Sequence, residues 1–404
     1  MKSFLWQRNT WFIALSLLVL LALSLAACSN NGSGNGSSRP TSTTEAGANP
    51  HSTPSSTPTI QMGAQPCPDG VKNPVHWDPI IPTHSPDSRV KSVSCGYLMG
   101  TPTHQALITV EKGGSSAMLD VYMYTHITDT NPTRLFKLQN LIHGDAKISG
   151  YNTVLTKEVD QNSSLNKGQS GAALIADFFR EFTWSDGAGT LVQTVFPGLY
   201  PDLTRYQAEA DQEEVNQGHQ PWKLDAVQTA KNFATSILKM KSSSSVSVVS
   251  GAGPHDLNAV VYVKLQLNGA GTFPPVKLTL SRLEANSNGG IWEVTAVESE
   301  NFSITSPKSH ERLNSPVTIT GAGIAFEGQI GIVHILDHLY TDLGHAFAMN
   351  QNGNNGFGPG TFSTPLTYNA SFHGGSQEGI VALYHEGGAE SDFGVVMLKV
   401  LVEA

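Results

Sequence analysis

Charge is scarce in these 404 residues: Asp, Glu, Lys and Arg together make up 14%. An average soluble domain carries about a quarter. The deficit, with abundant Gly, Ser, Thr and Asn, argues against a cytosolic helical enzyme and for a β-rich extracytoplasmic chain with many turns. Positive charge is scarcer still, 24 Lys and Arg against 33 Asp and Glu. No Lys/Arg cluster occurs, which excludes nucleic acid as a partner and electrostatic adhesion to an anionic bilayer. Only three cysteines are present, at 28, 67 and 95. None forms a C-x-x-C pair, so zinc-ribbon and thioredoxin chemistry have no footing. A Walker loop, a dinucleotide fingerprint and H-E-x-x-H are all missing. Ser170-Gly171 and Ser250-Gly251 lack the flanking pattern of a nucleophile elbow. No cofactor and no enzymatic activity are expected on these grounds.

What the chain does have is one long apolar run, Trp11 to Ala27, preceded by Lys2 and Arg8. It ends in Leu25-Ala26-Ala27-Cys28, small residues where a signal peptidase cuts. This resembles the bacterial lipoprotein signal. The resemblance implies a signal peptide over 1–27, a diacylglyceryl thioether on Cys28, and a place on the extracytoplasmic face of the cell membrane. An ordinary secretory signal is the alternative; a retained transmembrane helix is disfavoured because the run is short for the ~20 residues that span hydrocarbon. Removal of 1–27 would leave 22 basic against 33 acidic residues, a formal charge of −11. With Cys28 lipidated, Cys67 and Cys95 remain as an even pair in an oxidising compartment, which favours a disulfide.

Residues 28–65 are Gly, Ser, Thr, Pro and Asn with almost no charge. They bury too little apolar surface to offset ordering entropy and read as a disordered tether with ends about 30–35 Å apart. Residues 66–220 read as an α+β domain. A Pro-rich, loop-like entrance over 66–86 precedes a hairpin (104–110 and 117–125), strands at 135–142 and 151–159, and a second hairpin (182–184 and 191–196). Leu174, Ile175, Phe178, Phe179 and Phe182 fall at helical spacing, and a helix from Pro201 to Gln217 is expected with Asp202 as N-cap, Gly218 at its end and Arg205 four residues before Glu209. Residues 221–303 read as a smaller α+β unit. A helix faced by Leu224, Val227, Ala230, Ala234, Ile237 and Leu238 precedes strands at 246–249, 257–267, 276–283 and 291–297. This order loosely resembles nuclear transport factor two-like or cystatin-like modules, and Trp292 reads as core.

Residues 304–404 alternate apolar and polar positions between Gly, Pro and Asn turns, the pattern of a β-sandwich. Ser306-Pro307, Ser315-Pro316-Val317-Thr318-Ile319-Thr320-Gly321 and Phe326-Glu327-Gly328 resemble the immunoglobulin-like domain of bacterial spore germination proteins. The resemblance implies an all-β immunoglobulin-like sandwich in the cell envelope. Val317, Ile319, Ile332 and alternate residues of 395–402 are expected to point inward.

Two polar clusters invite chemistry. His334, Asp337, His338, Asp342 and His345 are the densest group of metal-ligand types. On a helix His334 and His338 would share a face. The flanking Ile330 to Leu336 reads as a strand, however, which sends His334 and Leu336 one way and Ile335 and Asp337 the other. A solvated hairpin is therefore expected; were a metal held, His334, Asp337, His338 and His345 would supply it. His385, Glu386, Glu390 and Asp392 read as an exposed turn. The whole is a multidomain chain with a non-catalytic recognition or scaffolding role in the envelope, partnered by the lipid bilayer through Cys28 and by cell-wall or envelope proteins. The alternative is a substrate-binding or hydrolytic domain within 66–220.

Overall fold

In a computed structural model, residues 61–81, 87–113, 117–240, 244–264, 274–284, 289–352, 356–370, 372, 375–386 and 393–404 are described. The expected signal segment, Cys28 and most of the tether lie outside them, as do Glu390, Asp392 and the Glu386 side chain. The described residues belong to one compact unit dominated by strands. None of their helices is long and apolar enough to cross a membrane.

The chain enters through a single helical turn, α1 (Pro74–Trp77), where a loop is expected from the proline content. Asn73 caps it by accepting from the Val75 N–H at 3.1 Å, and Pro74 sits where its missing N–H costs nothing. Four strands follow in chain order as an antiparallel sheet: β1 (Arg89–Gly96), β2 (Gln105–Glu111), β3 (Met118–Thr125) and β4 (Thr133–Ile142). A second sheet repeats the pattern with β5 (Asp145–Ile148), β6 (Val154–Glu158), β7 (Phe178–Ser185) and β8 (Thr190–Thr194). Both faces of the first sheet are covered, so β2 and β3 are apolar almost throughout. Ile108, Tyr122 and Tyr124 pack on Val71, Trp77 and Ile81 on one face. Leu107, Val121 and Met123 pack on Val154, Phe182 and Leu191 of the second sheet on the other. The expected disulfide is present: Cys67 and Cys95 are joined, with Cα atoms 5.1 Å apart.

The helical spacing at 174–182 does not produce a helix; Phe178 begins β7. The aromatic side chains favour a strand, and Phe178, Arg180 and Phe182 alternate inward, Arg180 being neutralised by Glu158 on β6. Helix α2 (Arg205–Asn216) begins later than expected, its N-cap shifted by two residues. Thr204, not Asp202, caps it by accepting from Gln207. Arg205 bonds Glu181 and Glu284 rather than its helix neighbour Glu209, which pairs with Lys147. Gly218 does close the helix, at φ +91°, in the left-handed region that only glycine enters without strain.

Helix α3 (Ala226–Ser236) is capped by Asp225, whose carboxylate accepts from Val227 and Gln228. It buries Ala226, Ala230, Phe233 and Ala234, whereas Leu224 lies before the helix and is exposed. Strands β9 (Ser245–Gly251), β10 (Asn258–Lys264), β11 (Val276–Arg282) and β12 (Trp292–Ser299) form a meander beneath it. The last segment supplies β13 (Ser303–Ser306), β14 (Arg312–Leu313), β15 (Val317–Ala325), β16 (Gln329–Leu336), β17 (Asp342–Met349), β18 (Gly358–Leu366), β19 (Ser376–Glu386) and β20 (Phe393–Glu403).

β12 pairs with β20 through Val297 and Met397, so segments 221–303 and 304–404 contribute to one sheet ordered β17-β16-β19-β20-β12-β11-β10-β9, with β14 alongside β20 in parallel. Period-two alternation lets β19 and β20 serve two cores at once. Ile380, Ala382, Val395 and Met397 face α3, with Phe233 and Trp292. Val381, Leu383, Val396 and Val400 face the three-stranded sheet β13-β15-β18, where Ile319 and Phe362 meet Val333 and Ile335. Ile319 and Val317 pack into this second core as expected. Ile332 does not. It shares the parity of His334, and that side of β16 lies away from the sandwich interior.

Candidate functional site

Strand β16 presents His334 on the face opposite the sandwich core, and β17 sets His345 directly across from it. Asp342 lies three residues before His345 on the same strand. In a regular strand residues three apart face opposite sides. Here the register slips between Ile335 and Leu336: Ile335 pairs with Gly344, but Leu336 pairs with Asp342. That bulge inserts one residue and returns Asp342 to the face of the two histidines. Gly344 sits against the chain that follows β18, where a Cβ would come within 2.6 Å of the Thr367 carbonyl oxygen.

One oxygen of Asp342, Oδ2, lies 2.6 Å from Nδ1 of His345 and 3.4 Å from Nδ1 of His334. The two imidazoles are 5.3 Å apart between centroids, and all three candidate ligand atoms lie within 4.8 Å of one another. The other Asp342 oxygen accepts from the Gly344 N–H at 3.1 Å, which fixes the carboxylate. Burial holds the His334 imidazole below its ordinary pKa; the Asp342 charge opposes this without reversing it. His334 also lines a cavity of about 440 Å³ shared with Ile332, Tyr384, Phe393, Leu238 and Gln329.

Of the five residues in the expected His/Asp turn, the structure gathers three. Asp337 is a turn organiser: its Oδ1 accepts from Leu339 at 2.8 Å and Thr341 at 2.7 Å. His338 is buried, contrary to the solvated hairpin expected from its polar surroundings. Its Nδ1 meets the Gln377 amide and its Nε2 lies 3.7 Å from Asp177 Oδ2. Burial raises the Asp177 pKa, but bonds from His338 and Ser163 outweigh it and hold the carboxyl below its usual range. Asn166 steadies the same loop by bonding both the N–H and the carbonyl of Ile175. His385, expected in an exposed turn, is buried too, bonded to the Ile330 carbonyl at 2.7 Å and set at a tilt against the Phe302 ring.

Sequence reasoning missed the buried ion pairs, because each joins residues far apart in the chain. Lys399 of β20 is wholly buried, 3.0 Å from Glu378, and donates to the carbonyls of Gly198 and Leu203. Burial pushes Glu378 up to about 7, against the pull of Lys399. Glu293 accepts from the Asp202 N–H at 3.2 Å, and burial raises both carboxyls. Arg205 faces two carboxylates with one charge, and burial pushes Glu284 up to about 8. A lone Lys in the apolar run Val395 to Val402 is the one signal that the sequence carries of these pairs. A separate cavity of about 300 Å³ is walled by Glu158, Asp160, Arg180, Phe178 and Phe372.

No family model and no curated protein matches the chain.

Proposed function

We propose that the chain is a membrane-anchored lipoprotein of the cell envelope, held through acylated Cys28, with a non-catalytic role in recognition or scaffolding. The observation that carries this reading is the way the tether meets the folded unit. Gln65 bridges to Cys95, Cys67 is bonded to the same Cys95, and the Asn152 side chain grips Gly63 N–H at 2.7 Å and the Gln61 carbonyl at 3.1 Å. Load on an anchor upstream would pass into a covalently stapled strand rather than peel a free end. The disulfide also accords with an extracytoplasmic location.

The strand arrangement of the last hundred residues supports an immunoglobulin-like module. β13, β15 and β18 form one sheet, and β14, β20, β19, β16 and β17 belong to the other, a Greek-key division of strands between two packed layers. Envelope recognition is the use that the resemblance to spore germination domains implies. The test is Cys28→Ser. Wild type should fractionate with membranes and take up labelled palmitate, while the variant should be released, folded and unlabelled. A label that persists in the variant, or a soluble wild type, contradicts the reading.

A second reading, ligand binding or hydrolysis within 66–220, draws on the cavity beside Glu158 and Asp160. Burial raises both carboxyls, and paired carboxyls with shifted pKa values in a cleft mark candidate acid–base sites. Equal behaviour of Glu158→Gln, Asp160→Asn and wild type toward envelope glycans would end it.

A further inference from the structure

The trio on β16 and β17 combines two imidazoles and one carboxylate, a donor set of nitrogen and oxygen. Calcium and magnesium are held by oxygen ligands in larger number. Two nitrogens and one carboxylate oxygen suit zinc and its divalent transition-metal neighbours. Bonds of about 2.0–2.2 Å to such an ion need the three donors a few ångströms apart. The structure has them within 4.8 Å, on adjacent paired strands.

The histidines turn the same atom, Nδ1, onto the same carboxylate oxygen. A hydrogen-bonded carboxylate between two surface histidines would need only one such contact. Here a bulge brings Asp342 round to the histidine face, and its second oxygen accepts from Gly344 N–H. Outer hydrogen bonds of that kind orient metal ligands. His345 is exposed, so its side chain has room to adjust around an ion while the strands hold the backbone.

We infer that His334, Asp342 and His345 form a binding site for a divalent transition metal of the zinc class. The 2.6 Å contact between His345 and Asp342 is its metal-free form. On binding, the imidazole proton resides on Nε2 and the Nδ1 lone pair turns to the metal. Three protein ligands leave a fourth position for water or for a donor from a partner. His334 belongs both to the trio and to the wall of the adjoining cavity, which gives such a donor a place to sit. The site stands independently of the anchoring proposal.

The test uses the full chain in detergent, stripped of metal with a chelator. Zn²⁺ titrated calorimetrically should bind once per chain, and Co²⁺ should give the visible absorption of a low-coordinate nitrogen–oxygen site. His345→Ala and Asp342→Asn should each weaken Zn²⁺ binding by about tenfold or more, since even outer-sphere losses cost that much. His219→Ala, which removes an exposed histidine paired with Glu214, should bind as wild type does. Wild type that binds no Zn²⁺, or trio variants that bind it unchanged, would overturn the inference. Should Asp342→Asn fail to fold, His345→Ala decides alone, because that side chain is exposed and belongs to no core.

Discussion

Two histidines four residues apart, His334 on β16 and His338 in the turn after it, share one polar stretch and meet opposite fates. His338 is buried and fastens the turn to the Asp160–Asp177 loop and to Gln377. His334 stays half-buried on the sheet's other face, where it meets Asp342 and His345 near solvent. Inside, a polar group is kept by partners that nothing else could satisfy; outside, polar groups converge although water would satisfy each. The first pattern holds the fold, and the second is free to hold an ion. Composition does not separate them; the sheet register does.

The strongest way to sharpen that contrast is to remove a polar group from the inside. Lys399→Ala leaves Glu378 buried and uncompensated and should cost about 3–5 kcal/mol of unfolding free energy, read by denaturant titration. The double variant Lys399→Met with Glu378→Gln should recover most of the loss. A cost under ~1 kcal/mol for the single change would mean that the buried pairs do not hold the molecule together. His338→Ala should cost less, about 1–3 kcal/mol, by stranding the Gln377 amide away from water and removing one of the partners of Asp177.

Glu284 gives a pH-dependent comparison. With its folded pKa at about 8 and its unfolded value near ~4.3, the folded state holds the proton more tightly. That contribution is fully present below about pH 4 and is lost as pH rises through 8. The melting temperature should therefore fall between pH 5 and pH 9, and Glu284→Gln should flatten the slope. An unchanged slope would show that Arg205 keeps Glu284 ionised. The smallest effect is expected outside: His345→Ala without metal should stay within about 0.5 kcal/mol of wild type.

Much of the fold was legible because the first half pairs neighbours. Within each of the sheets β1–β4 and β5–β8 every strand bonds to the next in sequence, and the hairpins over 105–125 and 178–194 show as strand-like runs around Gly-containing turns. The second half hides more, since β14 and β12 both reach β20 across long separations and no local pattern records that. The misread helix at 174–182 has five apolar residues at helical spacing, yet pairing with β6 decides it. The metal candidates were legible as a cluster of residue types. Which three converge was not, because Asp342 and His345 share a face only through a bulge that spacing rules place the other way.

The most direct test of the two-faced turn is one set of thermal unfolding curves. Wild type, His338→Ala and His345→Ala are each melted without metal and with excess Zn²⁺. A ligand that binds only the folded state raises the melting temperature. His338→Ala should melt lower than wild type without metal but gain the same increment from Zn²⁺. His345→Ala should match wild type without metal and gain a clearly smaller increment from Zn²⁺. If His338→Ala loses the zinc increment, or His345→Ala keeps it undiminished, the division between a structural inner face and a metal-binding outer face is contradicted.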